Sequence, residues 1–143
     1  MMLFDDTGAL GRFLEAQEET YENALGEIKA GHKETHWMWW IFPQYKGLGE
    51  SELSKYYAIQ SKAEAMAYLT HPILGRRLRD CMIALLDLKT DDAVEVFGEI
   101  DAQKLKSCMT LFGYSGSILC TMALNKFFNG EPDATTVRLL IGE

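Results

Sequence analysis

A chain of 143 residues has the length of one domain, and 48% apolar against 24% charged residues is the balance of a folded core, not of a disordered segment. Fourteen Lys and Arg against 21 Asp and Glu leave a net charge of −7, the wrong sign for broad contact with a phosphate backbone, so no nucleic-acid partner is expected. No apolar run is longer than that from Trp37 to Phe42, far short of the roughly 20 residues that a membrane span requires, so no membrane partner is expected either.

In chain order the first segment, Met1 to Asp6, carries acids where a signal peptide needs a basic region. The expectation is a cytoplasmic protein. Leu10, Phe13, Leu14, Gln17, Tyr21, Ala24, Leu25 and Ile28 recur at helical spacing and predict one long first helix, capped by Thr7 and ended by Gly31. Phe42 to Ser54, with Pro43, Gly47 and Gly49, reads as a long irregular segment, of the kind that often carries function. Ser61 with Glu64 forms a capping box for a helix running to about Leu69.

Pro72 suits the first position of the next helix, whose apolar stripe is Leu74, Leu78, Cys81, Met82 and Leu85. Thr90-Asp91-Asp92 opens another helix that Gly98 stops, and a further one covers Asp101 to Phe112. Gly113 to Gly116 separates it from Ser117–Phe128, and Gly130 to Asp133 precedes a last helix ending near Leu140. The expected fold is all-α, a compact single-domain bundle of about seven helices spanning 1–143. Cys81, Cys108 and Cys120 are odd in number, lack Cys-x-x-Cys spacing and fall among core positions, which predicts buried, reduced thiols.

The chemistry-bearing residues begin with the tryptophans, all three in the run His36-Trp37-Met38-Trp39-Trp40-Ile41-Phe42-Pro43-Gln44. Large aromatics dominate cores, so this run is either a core segment or a stacking wall on which His36 and Gln44 orient a planar ligand. The Gly47-Leu48-Gly49 stretch lacks the third glycine of a dinucleotide fingerprint and the Gly-Lys-Ser/Thr of a P-loop, so it reads mainly as a turn.

At 100° per residue Arg77 borders the stripe of its helix while Arg76 and Arg79 point away, which makes it the half-buried arginine. It either pairs with an internal acid such as Asp101, snorkels over apolar surface or forks an anion, and His71 at a helix start either hydrogen-bonds the free backbone groups there or helps to attract an anion. Asp101 lies on the centre line of the stripe Leu105, Cys108, Met109 and Phe112, with Lys104 at its edge. A carboxylate on an apolar face caps, pairs or works. His32, His36 and His71 are too scattered for a metal pattern, so neither metal nor cofactor is expected.

His36-Trp37-Met38-Trp39 leading into Ile41-Phe42-Pro43-Gln44, then Gly47-Leu48-Gly49, Tyr57-Ala58-Ile59, His71-Pro72-Ile73-Leu74-Gly75, Phe97-Gly98 and Thr110-Leu111-Phe112 together resemble the bacterial family called domain of unknown function 1810. The resemblance covers nearly the whole chain and implies a compact all-helical protein without an assigned activity. Some members carry the label calpastatin, for which this chain offers no inhibitory repeat. Where the family pattern has Trp-x-Trp followed by Phe or Tyr, this chain has Trp40. A narrower similarity, in Glu64-Ala65, the Pro72 to Arg77 region and the Lys104–Phe112 helix, is to the NADAR-type N-glycosidases acting on ADP-ribose-type substrates. It implies a carboxylate, an arginine and an aromatic wall, here Glu64 or Asp101, Arg77 and Trp39.

Together these give a small anionic or nucleotide-like ligand as the expected partner, with His36, Trp37, Trp39, Gln44, His71, Arg77 and Lys104 binding it. Asp101, Glu64 and His36 are the candidates for any catalytic role. The alternatives are an N-glycosidase-like hydrolase and a non-catalytic interaction module.

Overall fold

The computed structural model describes residues 9–143; Thr7, the expected first cap, lies outside them. The described chain is helical as its periodicity predicts, with Tyr45 and Ile59 forming an isolated parallel bridge. The helices are α1 (Gly11–Glu18), α2 (Tyr21–Ala30), α3 (Met38–Ile41), α4 (Glu52–Tyr56), α5 (Lys62–Thr70), α6 (Leu74–Leu86), α7 (Ala93–Tyr114), α8 (Ile118–Phe128) and α9 (Ala134–Ile141). No helix among the described residues is long and apolar enough to cross a membrane.

Helix α7 is the centre of the bundle. It packs against α8, α9 and α5, while α6 joins α2, α5 and α8, and Leu105, Cys108, Met109, Leu111 and Phe112 on α7 are completely buried. The thiols of Cys81 and Cys120 are pushed up to about 12 by burial, and that of Cys108 well above its ordinary value. All three are therefore neutral, inert core groups.

The departures from the periodic pattern have local causes. The expected single first helix breaks at Glu19–Thr20. There the Thr20 hydroxyl donates back to Ala16 O at 2.7 Å and accepts the Trp40 indole N–H at 2.8 Å, so α1 can lean on α3 while α2 turns to α6. Gly31 ends α2 as expected, in the left-handed conformation with its N–H on Ile28 O and that of His32 on Glu27 O. The two expected helices on either side of Gly98 run on as α7, with a kink where Gly98 adopts φ +82°. The aromatic run and the irregular segment contribute the short helices α3 and α4.

Helix α6 starts at Leu74, two residues after Pro72, because the His71 ring caps it. Gly75 is required at that crossing: a Cβ there would sit 2.2 Å from Leu69 O.

Candidate functional site

One turn of helix points the three tryptophans into different surroundings. Trp37 is 1% exposed; its indole N–H donates to Glu27 Oε1 at 2.9 Å, and its ring meets Phe42 and Phe97. Trp40 donates to Thr20 Oγ1 and packs on Tyr57, with ring centroids 5.2 Å apart. Trp39 differs from both: half-buried, it has no aromatic partner and no acceptor for its N–H among the described residues. One of its ring faces is covered by the Lys104 ammonium, 4.1 Å from the centroid.

Trp39 forms a wall of a cavity of about 210 Å³ enclosed by the loop after α3, α4 and the loop before α5. Gln44, Lys46, Lys55, Tyr57 and Gln60 also line it, and no carboxylate does. The Gln44 side-chain amide has no hydrogen bond among the described residues, while the Gln44 backbone carbonyl accepts the Ile59 N–H at 2.8 Å. Burial pushes the Tyr57 phenol above its ordinary value, so it stays a neutral donor. Stacking, amide hydrogen bonding and cationic attraction are thus available within one small volume.

Trp37, Trp39, Asp101 and Lys104 come together beside this cavity. Asp101 bridges Lys33 at 2.9 Å and Lys104 at 3.1 Å, and Lys33 lies over the Trp37 ring. Burial alone would raise the Asp101 carboxyl, but the hydrogen bonds and charges of the two lysines outweigh it and hold the group below the usual carboxylate range. Asp101 therefore pairs; the cap of α7 is Asp92, which accepts from Val94 and Glu95.

Other sequence candidates lie elsewhere. His36 is exposed and does not line the cavity. His71 is buried, its Nδ1 accepting the N–H groups of Ile73 and Leu74 at 3.1 and 3.2 Å, so the imidazole itself takes the helix-start donors that an anion would need. Glu64 accepts from Gln60 N–H at 3.0 Å and pairs with Arg12 at 2.9 Å.

Arg77 lies over the Tyr21 ring at 4.9 Å and reaches Gln17 Oε1 at 3.4 Å, with exposed Glu18 at 4.0 Å. Its partners come from α1 and α2, not from Asp101. The Tyr21 hydroxyl beside it is buried without a partner among the described residues, and burial raises its phenol. Tyr21→Phe should therefore be neutral or stabilising by up to about 1 kcal/mol in a urea melt, since it removes an unsatisfied buried group. A loss of stability larger than that would show that the hydroxyl is satisfied after all.

The sequence reading missed Lys46, Lys55, Tyr57 and Gln60. Lys46 lies within the irregular segment Phe42 to Ser54 and Tyr57 within the Tyr57-Ala58-Ile59 motif, but Lys55 and Gln60 carry no spacing that marks them. Among the described residues no three His, Cys, Asp or Glu side chains gather to hold a metal ion.

The sequence model of a family described as "Protein of unknown function (DUF1810)" matches residues 7–140. The chain is similar to the conserved hypothetical protein Rv1873 from Mycobacterium tuberculosis, whose crystal structure superposes with a TM-score of 0.90 at 41% identity, covering 92% of this chain and 96% of that one. No curated protein matches the chain.

Proposed function

The chain belongs to the DUF1810 family, and from that premise we propose that it binds a small anionic molecule carrying a planar ring, held in the cavity beside Trp39. The observation that carries this reading is the division among the tryptophans. Trp37 and Trp40 spend their N–H groups and ring faces on the fold, whereas Trp39 spends neither its N–H nor its cavity side. Lys46 and Lys55 supply the attraction for an anion, Gln44 and Gln60 the polar orientation, and Lys104, backed by Asp101, fixes the rear face of the ring. We place this activity in the cytoplasm, where the three buried thiols stay reduced.

A hydrolytic reading would need a carboxylate on the cavity wall. Asp101 and Glu64 are each held by cations and neither lines it, so binding is favoured over hydrolysis. An interaction role draws on a different surface: Met66, Tyr114 and Ile141, 48%, 58% and 76% exposed, surround a mainly apolar groove of about 350 Å³.

Trp39→Ala tests the binding reading. It should abolish the thermal shift produced by ring-bearing anions while costing about 1–2 kcal/mol of stability, whereas Trp37→Ala should cost about 3–5 kcal/mol. If Trp39→Ala destabilises as much as Trp37→Ala, and no such anion shifts the wild type, the tryptophan is a core residue and the reading fails.

A further inference from the structure

We propose that the turn 47–49, with Lys46 and Lys55, is a phosphate subsite, so that the ligand is a phosphorylated compound of mononucleotide size with its ring on Trp39. This rests on the Trp39 reading above and adds to it the chemical class of the anion and its place.

The backbone entering the turn is fixed. Ile59 N–H donates to Gln44 O at 2.8 Å and Lys46 N–H to Ile59 O at 2.9 Å, which forms the parallel bridge at Tyr45. Beyond Lys46 the pairing stops: the Leu48 N–H closes the turn at 46–47, and the N–H groups of Gly47 and Gly49 have no acceptor among the described residues. All three residues line the cavity.

Both glycines are dictated by shape. Gly47 has φ +95°, and a Cβ on Gly49 would lie 2.8 Å from the Ser54 Cβ and Oγ. Ser54 cannot easily yield, being buried with its hydroxyl donating to Ser51 O at 2.8 Å. Glycine therefore lets the bare backbone close against α4. Free backbone N–H groups at a turn with a left-handed residue are a recurrent anion-binding geometry.

Charge points the same way. In a protein of net charge −7, Lys46 and Lys55 line a cavity without carboxylates, and neither has an ion-pair partner among the described residues. Two backbone donors and two ammonium groups suit the three terminal oxygens of a phosphoryl dianion better than the two of a carboxylate. Size limits the remainder: about 210 Å³ is below the roughly 300–1,000 Å³ of drug-sized sites. It accommodates one ring and one phosphoryl group, and the second half of a dinucleotide would remain outside.

Calorimetric titration of the full chain with the four common ribonucleoside 5′-monophosphates, their nucleosides and inorganic phosphate tests this. At least one monophosphate should bind about tenfold or more tightly than its nucleoside. That advantage should weaken with salt and shrink to about twofold in the Lys46→Ala/Lys55→Ala double variant. Both lysines are exposed, so the variant keeps the fold, which circular dichroism checks.

Nucleosides binding as well as monophosphates, or a double variant that keeps the advantage, would overturn the phosphate subsite and leave the Trp39 reading standing. So would inorganic phosphate binding that the double variant does not change, because the anion would then sit elsewhere. If no ring compound binds the wild type and Trp39→Ala changes nothing, both fall together.

Discussion

Replacing Arg12 with methionine should cost about 3–5 kcal/mol of folding stability, because it would strand a carboxylate and three carbonyls around a mostly buried position. The guanidinium pairs with Glu64 at 2.9 Å and donates to Tyr56 O and Ala58 O, each at 2.7 Å, and also to Ala9 O. It stacks over Phe13 at 4.3 Å, and both charged side chains are only 11% exposed, so solvent screens the pair little. Arg12→Lys keeps the charge but loses the fork and should recover only part of the loss. Arg12→Met/Glu64→Met should be more stable than Arg12→Met alone, because the stranded charge goes with its partner. Urea denaturation of the four proteins measures this. A single Arg12→Met variant within about 0.5 kcal/mol of wild type would mean that the network is a solvated surface pair. Since Tyr57, Ala58 and Gln60 line the Trp39 cavity, the same variant should also weaken ligand binding.

The second large effect is expected at Glu27, which hands the chain from α2 to the tryptophans. Its Oε1 accepts the N–H groups of Glu34 at 2.6 Å, Thr35 at 2.9 Å and the Trp37 indole at 2.9 Å, and its Oε2 accepts the Thr35 hydroxyl at 2.6 Å. Glu27→Ala should cost about 2–4 kcal/mol, most of it from the Trp37 N–H left buried without an acceptor. The pH dependence carries a sign. Burial acts to raise the Glu27 carboxyl, but the bonds from Thr35, Glu34 and Trp37 outweigh it and bring the group down to about 2. A depressed carboxyl contributes stability that is complete above its unfolded value, near 4.5, and is lost as pH falls toward about 2.

Over that window the wild type should lose about 2 kcal/mol more than Glu27→Gln, after allowance for solvent screening, so the two stability curves should converge in acid. Asp101 titrates low in both proteins and cancels in the difference. Parallel curves would show that Glu27 contributes no charge-dependent stability.

The helical spacing of apolar residues was enough to locate α5, α6, α8 and α9, because each buries a single stripe and is bounded by a readable signal such as Ser61 or Gly130; α7 was split in two, because Gly98 reads as a stop where the chain only kinks. The break at Thr20 was hidden: the apolar pattern continues through it, and its cause is a hydroxyl shared with an indole 20 residues away. The candidate site was legible in its aromatic half. That Trp39, and not Trp37, is the uncommitted ring depends on Glu27 and Thr20 serving as acceptors, and no spacing within the run His36–Gln44 encodes that. Arg12 was invisible as a determinant of the cavity for a related reason. Its acceptors include the carbonyls of residues 56 and 58, which every amino acid carries alike. Arg77 was correctly placed at the edge of its stripe, but α1 and α2 supplied partners that a helical wheel cannot show.

The unequal commitment of the three tryptophans also bears on how such a protein can diversify. Positions 37 and 40 are tied to the scaffold through hydrogen bonds and ring contacts, so exchanging them disturbs the bundle itself. Positions 39, 46 and 55 carry little of that burden, and replacing them would change the lining of the cavity at small cost to folding. A lineage with this architecture can therefore vary the walls of this cavity by a handful of substitutions around an unchanged frame, and two members of the same fold can differ there while remaining superposable.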